Sequence, residues 1–219
     1  AVKPLLKAKG YDLEIVEFTD YVTPNIAVNE GELDANFFQH LPYLEEFNKN
    51  KNTDLVKTVN VHLEPMGLYS NKIKALSELE DGATIAVPND PTNESRALDI
   101  LVKEGLLTFK DVDFKTVVDI IENPKNLKIK ELDAPQLPRV LDEVDAAIIN
   151  TNYALSANLN PLKDAIIIES KDSPYANIVV VKKGNENKDS IKALNEAINS
   201  EEIRTFIKEK YQGSIVEAF

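Results

Sequence analysis

Three observations predict an α/β fold with a mainly parallel sheet. Strand-like and helix-like segments alternate along most of the 219 residues, the pattern of successive βα units. The continuous apolar runs, Ala146–Ile149, Ala165–Ile168 and Ile178–Val181, have the length of buried strands and fall far short of the roughly 18–20 residues that span a bilayer. Proline and glycine are dispersed, so no single linker divides the chain. Two domains would then require the chain to cross between them twice.

Asp12–Phe18 alternates acidic and apolar residues as a half-buried strand, and Ile26–Leu33 follows as a short helix. Asp34–Phe38 is a short strand candidate. Tyr43–Lys51 reads as a helix fraying into the Asn/Lys-rich stretch Asn48–Asn52. Leu55–Leu63 alternates again as a strand, which Met66–Ser70 extends across Gly67. Ala83–Pro88 is a buried strand. Pro91–Glu104 is a helix stopped by Gly105, a residue suited to a left-handed cap. A second unit reads as a strand at Lys128–Leu132, a helix at Gln136–Asp142 and a strand at Ala146–Ile149. Ala165–Glu169 and Asn177–Lys182 are two further strands. Ser190–Tyr211 holds two amphipathic helices split near Asn199–Ser200, with Gly213 ending the second. Candidate crossings lie near Met66–Lys72 and Ser170–Asn177. They make one lobe from 1–69 and 177–219 and another from 70–176.

Composition excludes several functions. Lysine and arginine total 25 against 37 aspartate and glutamate, a formal charge of −12. Such a surface repels phosphate backbones and anionic headgroups, and no basic patch interrupts it, so nucleic acid is not an expected partner. The absence of cysteine removes thiol catalysis, disulfides and thiolate zinc sites. With only His40 and His62, the usual nucleophilic and metallohydrolase layouts lack their parts. His62 and Glu64 share one strand face and offer two metal ligands, but no third is visible; the alternative is a strand histidine satisfied by its neighbours. All seven glycines are isolated, so no phosphate-cradling loop can form and no cofactor is expected.

Three clusters carry candidate chemistry. The first is Asn36-Phe37-Phe38-Gln39-His40-Leu41-Pro42-Tyr43, where a strand ends and a helix begins. Ligand sites in open α/β sheets form at such ends. Either phenylalanine can face a cleft, or both can be core; Gln39 and His40 are costly choices for a plain core. The second is Val87-Pro88-Asn89-Asp90-Pro91-Thr92-Asn93-Glu94-Ser95-Arg96. Asp90 suits an N-cap and Pro91 the first helical position, so free backbone N–H groups would receive an anion. Arg96 is one of three arginines, with Arg139 and Arg204, against 22 lysines. A guanidinium near a helix N-terminus makes electrostatic sense with a carboxylate held between them. The alternative is a surface pair with Glu94 or Asp99. The third is Asn150-Thr151-Asn152-Tyr153-Ala154, whose amides can donate to a carboxylate and accept from an ammonium, or form an Asx-turn opening the next helix.

Together with Glu14-Ile15-Val16-Glu17-Phe18-Thr19-Asp20-Tyr21, Glu64-Pro65-Met66-Gly67-Leu68-Tyr69-Ser70, Glu122-Asn123-Pro124-Lys125-Asn126-Leu127 and Ser173-Pro174-Tyr175-Ala176-Asn177, these clusters resemble the methionine-binding lipoproteins of ABC importers, the MetQ/NlpA type. The resemblance runs in order through the whole chain. It implies a two-lobed periplasmic-binding-protein-like fold, with crossover strands as hinge, that closes on a free amino acid. It further implies that the protein is not an enzyme. Its expected role is to capture L-methionine and deliver it to the membrane subunits of an ABC transporter. The expected location is extracytoplasmic, with the membrane reached only through a lipidated N-terminal cysteine absent from this sequence. In the residues matching the family, Arg96 would meet the ligand carboxylate and Asn150 would fix the head group. Tyr21, Phe38, His40 and Tyr43 would surround the thioether, and Asn93 and Asn152 complete the candidate ligand-binding set. Family members normally begin with a further strand and loop before the helix entered at Ala1-Val2-Lys3-Pro4-Leu5-Leu6, so preceding residues are expected. Two rival readings are a paralogue binding a methionine-containing dipeptide or another small amino acid, and an α/β enzyme using His40 with an acid such as Glu64.

Overall fold

The computed structural model describes residues 1–170 and 173–219. In chain order the elements are α1 (Val2–Ala8), α2 (Thr23–Glu30), β1 (Asn36–His40), α3 (Leu41–Lys51), β2 (Leu55–Leu63), β3 (Gly67–Tyr69), β4 (Thr84–Pro88), α4 (Pro91–Lys103), β5 (Thr108–Phe109), β6 (Ile120–Glu122), β7 (Lys128–Leu132), β8 (Ala146–Ile149), α5 (Thr151–Ser156), α6 (Pro161–Asp164), β9 (Ile167–Ile168), β10 (Ala176–Lys182), α7 (Asp189–Ile198), α8 (Glu201–Tyr211) and β11 (Val216–Glu217). They form two compact units. One comprises Ala1–Glu64 and Lys171–Phe219, the other Pro65–Ser170. The expected second crossing, 170–177, includes Lys171 and Asp172, which lie outside the described residues.

In the first unit the sheet order is β1-β10-β2-β11, with every pairing antiparallel. β10 is central, and its run Ile178–Val181 is buried throughout, as a strand covered on both faces requires. Side chains alternate across it. Ile178 and Val180 pack with Val28 of α2, Leu44 and Phe47 of α3 and Leu55 of β2. Val179 packs with Val61 of β2 and Ile198 of α7 on the other face. Ser200 caps α8 by accepting the N–H of Ile203 at 3.4 Å, with Glu201 and Glu202 in the first turn and Lys208 and Lys210 in the last, each charge matching the helix dipole. Gln212 supplies the left-handed C-cap at φ 49°, and Gly213 follows at φ 94°.

The second unit holds the sheet β7-β4-β8-β3-β9. β7-β4-β8 is parallel, while β3 runs antiparallel to β8 and β9. Ile85, Val87, Leu98, Leu101, Ala146 and Ile148 build the core between this sheet and α4.

The structure corrects several expectations. The sheets are not mainly parallel. Alternation along the sequence does not disclose which strands pair: β2 and β1 both pair antiparallel with β10, from the far end of the chain. Asp12–Phe18 belongs to no strand; its alternation lacks a ladder partner among the described residues. Met66–Ser70 does not extend β2. Pro65 cannot donate to a ladder, and β3 joins the other sheet. Gln136–Asp142 is not an α-helix: its first five residues lie in a 3₁₀ stretch over Ala134–Val140, where Pro138 removes a backbone donor, and 141–142 are turn. Of Ala165–Glu169, only Ile167–Ile168 is strand. Among the described residues no helix is long and apolar enough to cross a membrane.

Gly67 opens β3 against the ring of the fully buried Tyr69; a Cβ there would meet its Cε2 at 2.9 Å. Gly67→Ala must displace a ring with no room to retreat, and we expect it to destabilise the protein by about 1–3 kcal/mol, read as a lowered denaturation midpoint.

Candidate functional site

In the second unit, α4 begins as its sequence predicts. Asp90 is the N-cap, its carboxylate accepting the Asn93 N–H at 3.0 Å, and Pro91 occupies the first turn. The terminus expected to receive an anion from outside therefore has one of its N–H groups taken by the protein's own carboxylate. Thr92 through Arg96 are all buried, five polar residues in succession.

Asn93 turns this cap into a relay. Its Nδ2 donates to both Asp90 oxygens, at 2.9 and 3.1 Å, which aims its Oδ1 at Asn150; the Asn150 Nδ2 donates to it at 3.0 Å. Burial pushes the Asp90 carboxyl up from its ordinary value, against the hydrogen bonds from Asn93 and Thr92 that favour its charged form. With both Asp90 oxygens accepting, the Asn93 amide turns its nitrogen to Asp90 and its oxygen to Asn150. What emerges is the Asn150 Oδ1, buried and without a hydrogen-bond partner. The Asn150 side chain makes no cap bond to α5, although its backbone carbonyl accepts from Tyr153 and Ala154. The Asx-turn alternative does not describe it. Asn152, half-buried in the first turn of α5, accepts from the Ser156 hydroxyl through its backbone carbonyl at 2.8 Å.

Arg96 lies one turn beyond Asn93 on the same face of α4. At 4% exposure it is not in a surface pair; Asp99, one of the partners considered for it, bonds Lys115 at 2.8 Å. The carboxylate that Arg96 meets belongs to Glu169. Nε donates to Oε1 at 3.0 Å and Oε2 at 3.1 Å, and Nη2 donates to Oε2 as well. Glu169 is held in turn by the Met66 N–H at 3.1 Å, while its own N–H donates to the Met66 carbonyl at 2.8 Å. The Thr151 hydroxyl donates to the Pro65 carbonyl alongside. Sequence reasoning missed Glu169, 73 positions from its partner; the one available signal was an acid ending an apolar run.

In the first unit, Phe38, Tyr21 and Tyr43 form a triangle of rings. Phe38 stacks on Tyr21 at 5.8 Å, and Tyr43 stands edge-on to both at 6.0 Å. Phe37 is 41% exposed and meets His62 edge-on at 5.0 Å instead. The Tyr43 hydroxyl donates to the Tyr21 carbonyl at 2.8 Å, tying α3 to the loop before α2. That loop is pinned by Asp20, which accepts from Val22 and Thr23 at 2.7 Å; desolvation opposes its charge, but these bonds hold its carboxyl below the ordinary value. His40 caps α3, its Nδ1 accepting the Tyr43 N–H at 3.2 Å, and its ring meets Tyr175 at 4.9 Å. Tyr175 is the aromatic residue absent from the expected set. Gln39 serves the scaffold beneath the rings. With Asn25 and Asn36 it forms a buried amide network, Asn25 Oδ1 accepting from Gln39 at 2.6 Å and from Asn36 at 2.8 Å.

Glu64, the acid considered for His40 in an enzyme, pairs with His62 at 2.7 Å. Among the described residues no group of three or more metal-ligating acids or histidines converges.

The first unit thus carries a ring cluster at a strand end and the second a buried amide–guanidinium cluster at a helix start, the places where α/β binding folds put recognition. The fold belongs to the periplasmic-binding-protein class. The nutrient-binding protein from Burkholderia cenocepacia, solved bound to methionine, superposes with a TM-score of 0.97 at 48% identity, covering 100% of this chain and 93% of that one. The ABC transporter periplasmic substrate-binding protein from Coxiella burnetii gives 0.95 at 44% identity, covering 99% and 93%. The D-methionine-binding lipoprotein MetQ of Escherichia coli K12 is 46% identical over 96% of this chain and 79% of its own length. The NlpA lipoprotein family model matches residues 1–219, and the chain belongs to that family.

Glu94 offers a pH-dependent prediction. Burial, and then the charge of Glu131, push its carboxyl up to about 7, and its Oε1 has no partner. In the unfolded chain the group titrates near the ordinary glutamate value, so between about pH 4.5 and 7 the folded protein binds the extra proton. Stability from this group is full at the acid end of that window and is lost as pH rises through 7. Glu94→Gln, always neutral, should gain about 1–3 kcal/mol over the native chain between pH 5 and 8, measured by urea unfolding at each pH.

Proposed function

We propose that this protein captures L-methionine outside the cytoplasmic membrane, tethered there as a lipoprotein, and hands it to the membrane subunits of an ABC importer. The observation that carries this reading is the relay from Asp90 through Asn93, which ends in a buried acceptor without a donor at Asn150 Oδ1. A buried acceptor left unpaired costs roughly 1–3 kcal/mol, and a ligand ammonium relieves that cost. Arg96, on the same helix face as Asn93, takes the carboxylate, with Asn152 near the start of α5 completing the head-group set. Tyr21, Phe38, His40 and Tyr43 receive the thioether, where sulfur against an aromatic ring contributes about 0.3–1.5 kcal/mol per contact. The methionine bound to the Burkholderia relative and the name of the Escherichia coli relative support methionine as the ligand, and the transporter role of the Coxiella relative supports delivery to an importer. That last name specifies D-methionine, so both enantiomers belong in the titration.

Calorimetry is the direct test: stoichiometric binding of methionine, recovered unaltered, is the expected result, and turnover or absence of binding would overturn it. Arg96→Ala should weaken binding about ten- to a hundredfold, since a charge-assisted hydrogen bond is worth roughly 1.5–3 kcal/mol. Asn150→Ala should do the same; lowered stability with unchanged affinity would make the relay purely structural.

Selectivity should reside in the rings, because carboxylate and ammonium are common to all amino acids. Phe38→Ala or Tyr43→Ala is expected to cost methionine about two- to tenfold more than norleucine, the lost sulfur contacts converted to affinity. Equal losses for both ligands would place sulfur recognition elsewhere.

A further inference from the structure

Glu169 gives the head-group cluster an electrostatic character that a lone arginine would not have. The Arg96 guanidinium is buried, and Glu169, also buried, matches its charge one for one through Nε and Nη2. The carboxylate is not free to swing away. Its Oε2 also accepts the Met66 N–H, and its backbone is laddered to Met66. Among the described residues, the other titratable groups at the start of α4 are Asp90 and Glu94, with Glu131 beside Glu94, all acids, and the nearby Lys115 is paired with Asp99. Among the described residues the cluster therefore carries no net positive charge in spite of its arginine.

We infer that Glu169 sets ligand class by charge: it makes the site selective for a zwitterionic head group and rejects a carboxylate that lacks the neighbouring ammonium. This rests on the methionine-binding reading above and adds to it the residue that decides which head groups qualify. A bare carboxylate entering the cluster adds an unmatched negative charge where burial makes such charge costly. An amino acid adds none, and its ammonium also meets the acceptor at Asn150 Oδ1. Glu169 is in this sense a positioning and specificity residue, acting through Arg96.

The experiment compares methionine with 4-(methylthio)butanoate, the same chain without its amino group, on the native protein and on Glu169→Gln. Glutamine keeps a hydrogen-bond acceptor for the guanidinium but removes the counter-charge. The native protein should favour methionine over the desamino acid at least a hundredfold. In Glu169→Gln that ratio should fall at least tenfold, with the desamino acid binding more tightly in absolute terms. A residue that merely holds Arg96 in place gives another result: both ligands weaken in parallel and the ratio stands, which would overturn the inference. Should the variant fail to fold, the native protein decides the matter with methionine methyl ester, a cation, as third ligand. Charge matching requires both charged analogues to bind at least tenfold more weakly than methionine, and parity of either with methionine sinks it. If the native protein does not bind methionine at all, it is the functional reading that fails, a result distinct from either of these.

Discussion

A guanidinium shut away from water has to be neutralised where it lies, and the Arg96–Glu169 pair is the constraint on which the second unit's polar cluster depends. Glu169 can reach Arg96 only because β9 lies beside β3, and the bonds between Glu169 and Met66 fix that end of the sheet to the chain entering the unit. With Arg96 held, the rotation of α4 about its axis is held too. The same face then presents Asn93 to Asn150, and the relay that starts from Asp90 follows. Removing one partner of such a pair costs far more than the pair contributes, since the other is left charged and buried. The geometry is therefore kept by penalty against disorder more than by net attraction.

The first unit solves a similar problem without charge. Beneath the rings, the amides of Asn25, Asn36 and Gln39 satisfy one another in the buried space between α2 and β1. Above them, the Tyr43 hydroxyl and the His40 cap lock α3 against the loop bearing Tyr21. The rings gain their mutual geometry from these bonds, so the recognition proposed for them would begin from a surface already in place, which lowers the ordering cost of binding. Polar groups positioning apolar ones is the reverse of the second unit, where a helix packed into an apolar core positions polar ones.

What the sequence discloses follows from how local each signal is. Asp90 and Pro91 announce a helix start within two residues, and the structure shows that cap. The apolar runs of β4, β8 and β10 read as buried strands because burial on both faces leaves no polar alternation. The same locality explains the failures. Asp12–Phe18 has a strand's alternation, yet a strand exists only through a partner, and partners are not written beside it. The antiparallel pairing of β1 and β2 with β10 joins segments more than a hundred residues apart. Phe38 and Tyr43 were legible as candidates, but Gln39 and His40, set apart from a plain core on the same grounds, hold the structure up as well as bordering the rings. Glu169 lay beyond reach, since nothing local marks an acid as the partner of an arginine 73 positions away.

The start of α4 shows why recognition and stability are inseparable here. A helix lying on a sheet ordinarily gives its buried face to apolar residues and its polar ones to water. From Ala97 onward α4 does so, with Leu98, Ile100 and Leu101 in the core. From Thr92 to Arg96 it buries polar groups instead, among them Glu94 with an unpartnered oxygen and a carboxyl raised to about 7. Local departures of this kind destabilise a fold unless the rest of it compensates, and they concentrate where a protein meets its ligand. The compensation is the apolar half of the same helix, one turn further on. A change at Leu98 or Leu101 would therefore be felt at Arg96 and Asn93, because a rigid helix transmits to its polar turn any shift its core turn undergoes.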